Sequence, residues 1–452
     1  MPNPTRRTFI KATAAATAAI PAVLPPLVRA QSPNSRVNIA FIGVNGIGNS
    51  HRGMAAKNKV TGQNGIDCPC FCDADLSRVG AAKKQFPNAR VYSDYRQMYD
   101  KEHKNFDAIM VGTPDHHHYP ATIIGMTLGK HAYTQKPLTH TPWESRELLK
   151  AVKKYKVATQ MGNQGHSYPG WRKTAAYIAA GAIGEVKEVH SWTNRPDVYW
   201  QQGMGKPRTS HPVPKTLNWN AWLGPAPKRP YSRNAYLPFK WRAWLDFGGG
   251  ALADMACHTQ DSIFAILKPG HCTSVQVVST TKTNNQTFPK STIVKWAFPA
   301  RNGRRAFDSY WYDGGLFPTL PKELEVGRKL PGTGNIYIGT KGALLVSGDY
   351  GNSPRLLNAA YHKAFGKPKP VIEKSPGHFE EWIMAVKGEK RYDYPKSNFQ
   401  YAAPMSETIL LGNVALRTGR KLDWDGQNFK FTNLPSANKY LSKTYTQGWD
   451  GK

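Results

Sequence analysis

The stretch VNIAFIGVNGIGNSHRGMAA, residues 37 to 56, constrains this chain more than any other. An apolar, β-rich run stops at a glycine turn and continues into a helix-like segment. Gly43 permits the tight turn, Gly46 lets backbone beside Ile47 approach a pyrophosphate, and Gly48 lets the helix pack close to the strand. Glycine turns are common, so this one takes its meaning from the strand after it. That next apolar strand, GIDCPCFCDAD, ends at Asp73. A carboxylate there accepts hydrogen bonds from an adenosine ribose and repels a 2′-phosphate, which favours NAD over NADP. The alternative is that Asp73 caps the following helix and Asp75 is the ribose ligand.

Further on, FDAIMVGTPDHHHYPATIIGMTLGKHAYTQKPLTHT gives strand, loop, helix, strand and loop. WESRELLKAVKKYK then reads as a helix and VATQMGNQGH as a strand. Alternating β and α units predict a doubly wound parallel sheet, a Rossmann-type α/β domain over residues 36–160. The later half changes character. EVKEVHSWTNR, TSVQVVSTTKT, STIVKWAF and NIYIGTKGALLVSG read as strands with few helices between them. They predict a substrate-binding α/β domain over residues 161–425 with an open, largely antiparallel sheet, followed by a tail, 426–452. MSETILLGNVALRTG is expected to return and pack near the first domain. The open sheet face makes a homo-oligomer an expectation.

With 452 residues the chain can form two domains and a large core. The formal charge is +31, but the lysines are dispersed and no nucleic-acid motif accompanies them. That excludes nucleic acid as the expected partner and leaves a generally basic exported protein, with an anionic glycan substrate as the sharper alternative. Residues 5 to 19, TRRTFIKATAAATAA, have the T-R-R-x-F-x-K form of a twin-arginine signal, which carries folded proteins out of the cytoplasm. A signal peptide over residues 1–30 and a periplasmic or otherwise exported location are the expectation. Pro21, Pro25 and Pro26 interrupt the alanine-rich run, so stable membrane insertion is not expected. Cys68, Cys70 and Cys72 alternate, which would point all three to one face of a strand as small buried thiols. No metal is expected at them.

The motifs occur in a telling order. G-x-x-G-x-G comes after the first strand, TPDHHH after a later one, then QKP and GGGALADMACHTQD. W-x-x-WLGPAP, IGTKG and GHFEEWIMAVKG complete the set. Over the whole mature chain the sequence resembles the Gfo/Idh/MocA oxidoreductases, which include glucose–fructose oxidoreductase and inositol dehydrogenase. Within them it is most similar to the exported, Trp-rich branch. The resemblance implies a Rossmann domain followed by an α/β domain with an open sheet. It also implies that His258 accepts the substrate proton and that Asp254 orients substrate or base. The family's usual E-K-P triplet is here Gln135, Lys136 and Pro137, which removes a charge but keeps hydrogen bonding to a ribose.

Hydride transfer from an alcohol needs a bound ring, an oriented C–H and a proton acceptor. Lys136 can polarise the reacting oxygen. Asp254 and His258, four apart, share a helical face. Thr113, Pro114 and His118 lie on a loop expected to face the cofactor, because three consecutive histidines at 116 to 118 cannot converge on one ion from a regular strand. Asn163 and His166, after the next strand, can hold the nicotinamide amide or a sugar hydroxyl. Residues 192–247 form a Trp-rich insertion in which Tyr199, Trp200 and Trp241 could stack on sugar faces, or simply pack as core. Arg195 and Arg242 are candidates for acidic or hydroxyl-rich groups.

The expectation is therefore an exported oxidoreductase acting on a sugar, with NAD tightly bound and regenerated within each cycle, since no nucleotide pool exists outside. A redox-neutral glycoside hydrolase, working by oxidation, elimination and hydration, is the second reading. It needs a further acid or base, for which His166, Tyr168 and Tyr199 are candidates. A sugar-binding Rossmann protein without turnover is the third.

Overall fold

The computed structural model describes residues 36–57, 65–196, 199–325 and 327–451. The twin-arginine segment lies outside the described residues. Seven strands form the first sheet: β1 Val37–Ile42, β2 Ile66–Asp67, β3 Cys70–Cys72, β4 Arg90–Tyr92, β5 Ala108–Val111, β6 His131–Thr134 and β7 Thr159–Met161. They run parallel in the order β4-β3-β1-β5-β6-β7, with β2 also paired to β1. Helices cover both faces, so the central strands read as continuous apolar runs; every residue of AIMV in β5 is buried.

The second sheet has nine strands: β8 Val186–Trp192, β9 Ser274–Thr280, β10 Thr292–Phe298, β11 Phe307–Tyr312, β12 Gly334–Gly339, β13 Ala343–Ser347, β14 Ser353–Leu356, β15 Leu422–Asp425 and β16 Lys430–Phe431. Its order is β14-β13-β12-β8-β11-β10-β9-β15-β16, antiparallel except for the β8–β11 pair. The sheet is thus mixed and mostly antiparallel. In β10, TIVKWAF buries alternate residues, the pattern of a sheet with one covered face.

Two consecutive helices, Gly250–Thr259 and Asp261–Leu267, and the long helix Phe399–Thr418 lie in the seam between the sheets. Asn398 caps the long helix by accepting from the Gln400 and Tyr401 amides, and Gly419 ends it in the left-handed region. The same helix packs on Pro142–Tyr155 of the first domain, while Trp296 of β10 donates its indole N–H to the Thr408 carbonyl at 2.9 Å. The tail also returns: Lys443 pairs with Glu144 at 2.8 Å, and Arg96 stacks on Trp449.

The alternation of Cys68 with Cys70 and Cys72 does not survive as one face. The strand breaks at Cys68 and Pro69, so Cys68 packs in a different apolar cluster from the other two. All are buried, free thiols. Among the described residues no group of His, Cys, Asp or Glu is arranged to hold a metal, and no helix is long and apolar enough to cross a membrane.

Burial sets the acid response of the fold. Among the described residues ten histidines are lowered, with His51 and His378 pushed down to about 3 and His117 and His131 to about 4. Asp73, Asp115 and Asp313 move the other way, Asp313 to about 7. Below pH 6.5 the unfolded chain protonates histidines that the folded chain keeps neutral, so stability falls as pH falls. The raised aspartates offset part of this. Each unopposed histidine costs about 1.4 kcal/mol per pH unit. Denaturant midpoints are expected to drop steeply from pH 7 to pH 4.5; a flat profile would contradict the burial of these imidazoles.

Candidate active site

The carboxyl ends of β1, β3, β5 and β6 open on a cleft of about 420 Å³. Gly43, Gly46, Ile47, Asp73, Thr113, Pro114, Gln135 and Lys136 all line it. Gly43 has φ +83°, and a Cβ there would sit 2.7 Å from the Gly112 carbonyl oxygen. Gly48 does not line the cleft. A side chain on it would collide with the Gly43 carbonyl, so it lets helix Ile47–Lys57 close on the turn. Asp73 sits at the end of β3 and accepts from the Val44 amide at 3.2 Å and the Asp75 amide at 3.1 Å. Asp75, not Asp73, is the helix cap: it accepts from Ser77 N at 3.1 Å.

These residues fit a dinucleotide. The turn aims a helix N-terminus into the cleft, Asp73 lines it from the end of β3, and Thr113 Oγ1 is buried without a partner among the described residues. Gln135 explains its own departure from glutamate. Its amide donates to His51 Nε2 at 2.9 Å, and burial holds that imidazole neutral, at about 3. Gly162 leaves the space, since a Cβ there would lie 2.5 Å from the Gln135 amide nitrogen.

Beyond the cleft lies a buried charge network. Lys136 Nζ bonds Asp254 Oδ1 at 2.5 Å. Arg242 sits between two carboxylates: Nη1 is 2.9 Å from both oxygens of Asp115, and Nε is 3.0 Å from Asp254 Oδ1. Asp115 also accepts from the Gly249 amide at 2.9 Å. Burial alone would raise the Asp254 carboxyl, but Arg242 and Lys136 outweigh it and hold the group well below the usual carboxylate range. His258 comes one turn later. Burial first, then Lys136, lowers its imidazole well below the ordinary value, so it is neutral at neutral pH. Its Nδ1 is buried with no partner among the described residues, and its ring stands edge-on to Tyr350 at 5.0 Å.

Several expected ligands have other work. Arg242 touches the cleft, but both carboxylates claim its guanidinium, because a buried cation must be paired. His118 does not line the cleft; its ring nitrogens meet the carbonyls of Pro137 at 2.7 Å and Thr113 at 2.9 Å, tying two cofactor-facing loops together. Asn163 is buried in the domain seam, donating to Asp261 at 3.0 Å and accepting from Ser397. His166 pairs with the same Asp261. Trp200 is 2% exposed and donates to Gln202, inside the core of the insertion. All six tryptophans from 192 to 244 are buried, and of them Trp222 and Trp241 line the cleft. Arg195 stacks over the exposed Tyr199 and lies 3.6 Å from Asp349.

Sequence reasoning missed Asp115, Asp261, Asp349 and Tyr350. Asp115 was hidden beside three more conspicuous histidines. Asp261 had a signal, lying three residues beyond His258. Tyr350 and Asp349 come from a turn after β13 with no motif. The insertion was also missed as a wall: Ala221, Leu237 and Phe239 close one side of the cleft.

Residues 37–163 match the family model described as oxidoreductase family, NAD-binding Rossmann fold, and residues 189–297 match its C-terminal alpha/beta domain. The chain belongs to the Gfo/Idh/MocA oxidoreductase family. Its first domain is an NAD-binding Rossmann domain. Among curated relatives, levoglucosan dehydrogenase of Pseudarthrobacter phenanthrenivorans is 23% identical over 192 residues, 42% of this chain and 40% of that protein. A glycosyl hydrolase family 109 protein from a Shewanella species is 28% identical over 171 residues, 33% of this chain and 37% of that protein. The chain thus spans about two fifths or less of the length of these relatives. The WlbA dehydrogenase of Bordetella pertussis, solved with NADH and UDP-GlcNAcA, shares the fold with a TM-score of 0.60 at 18% identity. That likeness covers 86% of this chain and 99% of that one.

Arg242→Ala would leave the buried Asp115 carboxylate without its cation and Asp254 with Lys136 alone. It is expected to lower the unfolding free energy by about 3–5 kcal/mol in chemical denaturation. Asp115→Ala should cost less in that background than in the native chain; equal costs would mean the pair is not coupled.

Proposed function

We propose that this protein is an exported NAD-dependent oxidoreductase that acts on a neutral sugar or sugar derivative and keeps its cofactor through the whole cycle. The observation that carries this reading is Lys136, which lines the nucleotide cleft and bonds Asp254 at 2.5 Å on the helix bearing His258. When bound, NAD supplies the acceptor for the electron pair of an alcohol C–H bond. Lys136 Nζ donates to the reacting oxygen, and Asp254 fixes its direction. Neutral His258 offers its imidazole to the hydroxyl proton.

The substrate charge follows from pairing. Lys136, Arg242 and Arg195 each stand against a carboxylate, which favours a hydroxyl-rich neutral ligand over an anionic glycan. The sugar-directed name of levoglucosan dehydrogenase supports the substrate class. The T-R-R-x-F-x-K start supports export after folding, and the insertion closing the cleft supports a retained nucleotide. Glycoside cleavage is the second reading, favoured by the family 109 relative and by the His166–Asp261 pair.

Denaturing the purified protein should release NAD, identified by mass. Lys136→Ala should lower turnover about 10²–10⁴-fold. Protein without nucleotide, or unchanged turnover in that variant, would sink the catalytic account. With aryl glycosides, aglycone release without accumulating NADH selects cleavage; a persistently reduced cofactor without release selects dehydrogenation.

A further inference from the structure

The wall that the insertion builds over the nucleotide cleft comes from the second half of the chain, so contacts between distant segments must hold it in place. One fastening is backbone to backbone. Leu76 N donates to the Thr216 carbonyl at 2.9 Å, and Asn218 N donates to the Ala74 carbonyl at 2.8 Å, beside the cleft-lining Asp73 and Asp75. A second fastening is made by the last residues of the chain, at the turn after helix Trp219–Leu223. Thr446 donates its amide to the Pro225 carbonyl at 3.2 Å and its hydroxyl to the Ala226 carbonyl at 2.9 Å.

The tail is pinned to the nucleotide domain on both sides of Thr446. Before it, Lys443 and Tyr445 share the buried Glu144, the ammonium at 2.8 Å and the hydroxyl at 2.6 Å. After it, the Gly448 carbonyl accepts from Arg96 Nη1 at 3.0 Å, and the Arg96 guanidinium lies over the Trp449 ring at 3.7 Å. Gln447 and Gly448 are exposed, yet Trp449 is only 6% exposed. One short segment thus joins the nucleotide domain to the insertion.

Trp449 sits behind the cleft wall. Its indole meets the rings of Tyr95 at 5.4 Å and His117 at 5.7 Å, both edge-on, and those two residues line the cleft. His117 in turn presses on the insertion: Gly224 has φ +49°, and a Cβ there would overlap the imidazole. Arg96 completes the ring of contacts, since its carboxylate partner at 2.6 Å is Asp94, another lining residue. A hollow of about 360 Å³ opens among Arg96, Leu223, Gly224, Thr446 and Trp449. The seam there is held by the stacked indole and guanidinium rather than by close packing throughout.

We propose that residues 443–449 are a latch on the dinucleotide cleft. Trp449 is a positioning residue that holds Tyr95 and His117 in the wall and keeps the insertion seated, and the indole must lift before the cleft opens. The proposal rests on the retained-NAD reading and names the device that does the retaining.

The test follows exchange of the bound nucleotide. Full-length protein purified with its NAD is incubated with excess deuterium-labelled NAD, desalted at intervals and denatured, and light and heavy nucleotide are weighed by mass. Trp449→Ala should exchange about tenfold faster than the native protein, and Trp449→Phe, which keeps an aromatic face for Arg96, at an intermediate rate. Trp424→Ala removes another buried indole, one that packs on Phe429 and Phe431 at the edge of the second sheet, and should exchange at the native rate. If neither Trp449 variant exchanges faster than the native protein, or if Trp424→Ala gains as much as Trp449→Ala, the latch is overturned while the retained-NAD reading stands. Native protein that carries no nucleotide, or exchanges it within the desalting time, would overturn both.

Discussion

The site depends on one guanidinium. Arg242 comes from the Trp-rich insertion, Asp115 from the loop after β5, and Asp254 from the helix that comes after the insertion. Removing a guanidinium and two carboxylates from water costs several kcal/mol per ion, and only mutual pairing offsets it. Satisfying that pairing leaves one arrangement of the three segments. It holds the helix Gly250–Thr259 against the nucleotide domain and presents Asp254 to Lys136.

Charge balance then sets the chemistry. Arg242 and Lys136 keep Asp254 ionised, and burial keeps His258 neutral. Histidines that look like ligands in the sequence do a structural task nearby. His116 and His117 both reach the Trp222 carbonyl, and His118 spans the carbonyls of Thr113 and Pro137. Together they fasten the insertion and the cofactor-facing loops to one another. Local rigidity of this kind is what a hydride-transfer geometry requires.

The first domain was legible residue by residue, because its function needs backbone geometry. A tight turn at Gly43, close packing at Gly48 and an acid at the end of β3 all leave marks at fixed offsets in the chain. Lys136 and the Asp254–His258 spacing were legible for a similar reason, being short-range patterns within ordered motifs. Arg242, Trp200, His118 and Asn163 were harder. Each has a side chain suited to ligands, and each is used instead for burial or for satisfying a neighbouring segment. Nothing in local sequence distinguishes an arginine that meets substrate from one that meets two aspartates more than a hundred residues apart.

By itself the sequence determined the architecture: a parallel nucleotide-binding sheet, a mostly antiparallel second sheet, and the helix carrying Asp254 and His258. Hydrophobic period, glycine turns and helical spacing are local quantities, and they suffice for that. Only the tertiary structure decided which polar groups are already satisfied. It placed Asp115 and Asp254 on Arg242, gave His166 a carboxylate through Asp261, brought Tyr350 beside His258 and laid the insertion over the cleft. Those outcomes depend on desolvation and pairing between distant segments, which exist only once the chain has closed on itself.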